Sequence, residues 1–132
     1  MSIDTIEKAI KSILTSDVTV NALIEGRCYP VTLPQNPEYP LCLYIHISGT
    51  TENQLRGDAG QAHKRYQIES WAKTYAESKE LSNAVAEALN QYSGTVGTVV
   101  VGSILIVNSN ETYEEVVKVY RVMQDYMIWH KI

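Results

Sequence analysis

Three histidines, two cysteines and fifteen carboxylates are the side chains of this sequence with the most chemical reach. Their spacing decides what they could do. His46, His63 and His130 include no pair at helical metal-binding spacing and no HExxH pattern. His46 and His63 could face each other across a hairpin, but zinc takes three or four ligands and the sequence marks no others. They read as surface or strand-edge residues. Cys28 and Cys42 fit neither a zinc nor a redox spacing. They read as small buried hydrophobes, with a disulfide between them left open. Serine and cysteine nucleophile signatures are missing, as are both glycine-rich phosphate loops. Gly94-Thr95-Val96-Gly97 lies after a helical pattern and before a strand pattern, the reverse of the dinucleotide-binding order, and reads as a helix stop and turn. Glu114-Glu115 sits in a turn region, solvated, without the burial that makes a catalytic dyad. Arg56-Gly57-Asp58 reads as a loop turn. No catalytic residue, metal ligand or cofactor is therefore assigned, and function is expected to lie in protein binding rather than in enzymatic chemistry.

Composition narrows the partners. Net charge is −4 with no basic run, whereas phosphate recognition needs clustered Lys and Arg. No apolar stretch is long enough to span a bilayer. The charged N-terminus lacks a signal-peptide core, so a start in the cytosol and reduced cysteines are expected. With 45% apolar residues and 20% charged, 132 residues suit one globular domain, 1–132. There is no Phe, but there are nine Tyr and two Trp, side chains suited to half-wet positions.

The elements that must position these residues follow from periodicity. Ile3, Ile6, Ile10, Ile13 and Leu14 form one helical stripe, with Ser2 as the expected cap. A short helix over Val18–Ile24 is capped by Ser16 or Asp17 and stopped by Gly26. From Arg27 to Pro40 four prolines predict an extended connector and exclude helix and central strand. Leu41–Ser48 alternates as a strand, and His63–Trp71 as its hairpin partner. Thr74 and Glu77 form a capping box opening a helix whose apolar face is Leu81, Ala84, Val85, Ala88, Leu89 and Tyr92. Thr98–Val107 is apolar enough to be a strand covered on both faces. Asn108-Ser109-Asn110 predicts a turn, and Tyr113–His130 a closing strand. The predicted fold is α+β: a mainly antiparallel four-stranded sheet with helices on one face, in the order α-α-β-β-α-β-β.

Two features point to binding. The hairpin tip, Gly49–Ala62, is too long and too polar to be a plain connection. Its Thr51, Glu52, Asn53, Gln54, Leu55, Arg56, Gly57 and Asp58 are the expected partner-contact loop, ordering on a partner. The closing strand is also apolar on both faces. If helices cover one, then the other, with Met123, Met127 and Trp129, needs either the proline-rich connector or a subunit contact, and the latter is favoured.

Beyond these features, the whole chain resembles the tail-completion or tail-terminator family of long-tailed bacteriophages. The resemblance rests on Arg27 with Tyr29-Pro30, Leu33-Pro34-Gln35, the run Gln67-Ile68-Glu69-Ser70-Trp71-Ala72 into Tyr75-Ala76-Glu77, and the closing Trp129-His130. It implies a non-enzymatic structural protein, from a phage or prophage, similar in fold to the lambda tail terminator. Such proteins cap the tail tube, stop its growth, and present the surface on which head-completion or connector proteins dock. The resemblance further implies self-association into a hexameric ring with the genome passing through its lumen, and a place at the virion head–tail interface after assembly in the host cytoplasm. It supplies no catalytic residues. The alternatives are a head-completion adaptor of the neck, a small-molecule domain with a deep polar pocket, and an interaction module unrelated to phage.

Overall fold

The computed structural model describes residues 5–49 and 61–131. Helix α1 (Ile6–Ser16) starts at Thr5, whose hydroxyl accepts from the Lys8 N–H at 3.3 Å, so the cap is not Ser2. It buries Ile6, Ala9, Ile10 and Leu14. Large side chains of this kind each contribute about 1.5–3 kcal/mol on burial. Helix α2 (Val18–Ile24) begins at Asp17, which accepts from the Val20 N–H at 3.0 Å. It ends where Glu25 and Gly26 turn left-handed. Helix α3 (Tyr75–Leu89) opens on the expected Thr74–Glu77 box. The Thr74 Oγ1 accepts from the Glu77 N–H at 3.2 Å and lies 3.0 Å from the Glu77 carboxylate.

The expected four-stranded sheet is overturned. Six strands form one mixed sheet: β1 (Cys28–Pro30), β2 (Leu41–Gly49), β3 (Gln61–Ala72), β4 (Gly94–Val96), β5 (Val99–Glu114) and β6 (Val119–Lys131), in the spatial order β1-β2-β3-β6-β5-β4. The element order is thus α-α-β-β-β-α-β-β-β. The two extra strands are three-residue edges hidden in turn-like sequence. β1 runs parallel to β2, with Pro30 closing it where an edge tolerates a missing donor. β4 folds back on β5 through the two-residue loop Gly97-Thr98, whose Gly97 takes the positive φ of 62° that such hairpins require. The Asn108-Ser109-Asn110 turn is overturned too. β5 runs through these exposed residues, held by its pairing with β6, and the reversal comes at Lys118 (φ 56°), whose N–H donates to the Glu114 carbonyl. Tertiary pairing has overridden local turn preference, at no desolvation cost.

β3 and β6 pair continuously from Gln61↔Lys131 to Ala72↔Tyr120 and form the spine. On one side of it lie the three helices and the main core, which includes Cys42, Tyr44, Tyr66, Ile68, Ile104, Tyr126 and Ile128. Cys28 and Cys42, register partners across β1 and β2, are buried free thiols. Desolvation raises both, Cys28 to about 12 and Cys42 well above the usual thiol value. A smaller core lies on the opposite face, where Tyr29, Leu33 and Tyr39 pack on Leu41, Leu43, Trp71 and Val119. The proline-rich connector therefore does cover one end of the second face. It is pinned by Arg27, whose Nε donates to the Pro40 carbonyl at 3.0 Å. β5, by contrast, is not covered on both faces: Leu105 and Val107 are 43% and 48% exposed.

Thr74→Ala should lower stability by about 1 kcal/mol through loss of the cap. A shifted urea midpoint with an unchanged m-value would show it; an unmoved midpoint would mean the Thr74 hydroxyl caps nothing of consequence.

Candidate functional site

The sheet face opposite the helices carries the residues singled out for subunit contact, and its chemistry is layered. On a strand, alternate residues share a face. Along β6 this face reads Val119, Arg121, Met123, Asp125, Met127 and Trp129. Met123, Met127 and Trp129 do lie together on it, all half-buried. They do not form one continuous apolar strip. Asp125 interrupts them, accepting from Arg65 Nε at 3.0 Å, Arg65 Nη2 at 2.7 Å and Gln67 Nε2 at 3.0 Å. Beyond Met123 lies a second charged layer. Glu69, 1% exposed, accepts from Arg121 Nε and Nη2, each at 2.9 Å, and from the Trp71 indole N–H at 3.0 Å. Arg121 Nη1 donates to Glu114 at 2.9 Å, and its guanidinium lies 5.3 Å from the Trp71 ring centroid. Both ion pairs are diagonal contacts between β3 and β6, the reach of long side chains on adjacent strands. At the far end Trp129 stacks with His63 at 6.4 Å, and with Gly102, Ser103 and Leu105 it lines a shallow groove of about 430 Å³.

The Arg121–Glu69 layer had no strong sequence signal. Arg121 and Glu69 are ordinary polar positions of alternating strands until the register brings them together. Strand alternation sets Arg121, Met123, Met127 and Trp129 on one face of β6, and Arg65, Gln67 and Glu69 on one face of β3. The contact loop Thr51–Asp58 lies outside the described residues.

On the helix side a polar cluster collects Glu7, His46, Lys64, Tyr66 and His130. His46 and His63 do not meet: His46 stacks on Tyr66 at 5.0 Å, while His63 belongs to the other face. The Tyr66 hydroxyl donates to Glu7. Burial pushes Tyr66 well above its usual range, and the Glu7 carboxylate pushes it further. Desolvation would raise Glu7, but the Tyr66 hydrogen bond, a backbone hydrogen bond and the nearby Lys64 and His46 outweigh it, leaving its pKa lowered. At His130 the Nδ1 lies 3.0 Å from the Lys131 carbonyl, an acceptor only, so Nδ1 carries the proton. The buried Nε2 has no partner. Desolvation lowers its pKa, with Lys64 adding to this and the Lys131 and Glu7 contacts opposing it. Among the described residues no cluster of His, Cys, Asp and Glu could hold a metal ion, and no helix is long and apolar enough to cross a membrane.

The family model described as "Tail completion protein gp17" matches residues 8–131. No curated protein matches the sequence. Among solved structures, a chain described under "Virion of native gene transfer agent (GTA) particle" shares the fold, with a TM-score of 0.69 at 15% identity over 93% of this chain and 92% of that chain.

Removing one partner of the buried pair should be severe. Arg121→Ala leaves Glu69 charged and buried and should cost about 3 kcal/mol, whereas Glu69→Leu with Arg121→Met should recover more than half of it in denaturant titration. A mild Arg121→Ala would mean that water already solvates Glu69. Acid should also weaken the fold. Because His130 binds its proton less readily folded than unfolded, the stability it contributes is full above its ordinary 6.5 and is lost as pH falls below that value. Urea midpoints should drop as pH falls below about 6.5, and His130→Leu should flatten that drop; an equally steep profile in the variant would assign the effect elsewhere.

Proposed function

The chain belongs to the tail completion protein gp17 family, and from that premise we propose that it caps the tail tube of a phage or prophage particle and forms part of the head–tail joining surface. It is a non-catalytic structural protein of the tail-completion type. The observation that carries the reading is a family match running through nearly the whole chain, from helix α1 to the end of β6. Residues 1–132 act as a single domain, and copies close into a ring, hexameric as in the lambda tail terminator. Capping a tube calls for a closed rotational assembly, one face matched to the tube and the other to the head-completion or connector proteins. The fold shared with a chain of a gene transfer agent virion supports a place in such a particle. The protein then resides at the virion head–tail interface after assembly in the host bacterial cytoplasm.

Met123, Met127 and Trp129 serve the subunit contact in this reading. Their support is partial exposure on a face that the connector covers only at its other end. The Asp125–Arg65 pair between Met123 and Met127 sets a charged layer within that contact. Thr51–Asp58 contact the tube or the adjoining ring, a role that rests on their sequence.

Light scattering coupled to size-exclusion chromatography tests the reading, with and without the cognate tail tube protein. A ring-sized species, alone or with tube protein, is expected. A monomer indifferent to tube protein would defeat it. Trp129→Ala should reduce assembly while leaving the thermal midpoint nearly unchanged; lost stability with unimpaired assembly would make Trp129 a core residue instead.

A further inference from the structure

The sheet ends in two edges, and each is only partly closed. On one side β4 pairs with Val99–Val101 of β5 and no further. The Ile104 carbonyl then accepts from the Gln91 N–H at 2.6 Å, and the Ile106 N–H donates to Asn90 Oδ1 at 3.0 Å. From Val107 to Tyr113, no described residue pairs with the β5 backbone on the side away from β6. On the opposite side β1 pairs with Cys42–Tyr44 of β2, and the Val31 N–H adds one bond to the Tyr44 carbonyl. From Ile45 to Gly49 the only described contact on the backbone away from β3 is the His46 ring on the Ser48 carbonyl, at 3.0 Å.

An unpaired strand is a template for another strand, and edges that must stay single are usually blunted by Lys or Pro. Neither free run contains either residue. Both instead expose apolar side chains: Val107 and Tyr113 on β5, and Ile47 on β2, between 44% and 48% exposed. A register shift lies within or beside each run, at Ile106/Asn108 and at His46/Ser48, which twists the edges without covering them. Glu111 on the β5 run is already held within the chain, by Lys79 Nζ at 2.9 Å and the Tyr75 hydroxyl at 2.8 Å, so the backbone rather than charge is what this edge offers.

We infer that the free β5 edge, Val107–Tyr113, of one copy adds onto the free β2 edge, Ile45–Gly49, of the next. The occupant is a second copy because the two open edges, among the described residues, belong to opposite sides of one sheet and both expose apolar side chains. Two unlike surfaces on one chain make a head-to-tail contact, which repeats by rotation and closes when the angle allows. Backbone hydrogen bonds would supply affinity and the alternating side chains register, as in strand addition generally. The inference rests on the ring reading above and adds a backbone contact between subunits to the side-chain contact proposed there.

Engineered cysteines test it, since Cys28 and Cys42 are buried and unmodified protein should give no product with a short bifunctional thiol reagent. Protein carrying both Ile47→Cys and Val107→Cys, assembled with tail tube protein and treated with that reagent, should give a ladder of covalent multimers. So should a mixture of the two single variants, stopping at dimers. Either single variant by itself should give none. Dimers from Val107→Cys alone would show a like-to-like contact and overturn the inference. A ring in light scattering with no ladder would also overturn it, leaving the ring reading intact. No assembly in unmodified protein, with or without tube protein, would remove both. Thermal melts of the variants confirm folding, which substitution at two half-exposed side chains should preserve.

Discussion

A carboxylate buried in the middle of a sheet face has to be neutralised where it stands, and Glu69 is neutralised by groups from β3 and β6. Arg121 provides two charge-assisted bonds and Trp71 a third. Arg121 also reaches Glu114 at the end of β5, so one guanidinium ties three strands together. Its register with Trp71 fixes how β6 sits on β3. A one-residue slip would carry every side chain of β6 to the opposite face, removing Arg121 from Glu69 and Ile128 from the main core. Trp71 in turn is the floor on which Tyr29, Leu33 and Tyr39 settle. The proline-rich connector thus takes its place from the same layer.

Local chemistry was legible wherever it is self-contained. The Asp17 and Thr74 caps, the stripe of α1 and the alternation of β3 and β6 follow from residue type and spacing alone. The expected Ser2 cap failed locally, Thr5 taking its place, but the larger failures turn on a remote partner. β1 and β4 are three residues each and borrow their order from β2 and β5. Asn108-Ser109-Asn110 carries turn chemistry, but β6 holds it extended. The second face was recognised as apolar, and the connector covers its end at Leu41 and Val119 while Met127 and Trp129 stay half-exposed. The Glu69–Arg121 layer had no signature, because diagonal partners on strands some fifty residues apart in sequence have no spacing rule.

The alternation of ionic and apolar layers along β6 has a bearing on how such a face behaves unassembled. A continuous Met and Trp strip would associate with any apolar surface. Here Asp125 and Arg65 divide it, so a partner must present polar groups at the matching height or leave charges poorly solvated. That condition favours discrimination over adhesion.

The two thiols have a quieter consequence. A disulfide or a sulfenic acid begins from thiolate, and burial keeps Cys28 and Cys42 protonated far above neutral pH. Though they are register partners on β1 and β2, the two thiols therefore have little thiolate to react while the fold holds. The fold thus rests on packing rather than on a cross-link, and burial slows the first step toward one.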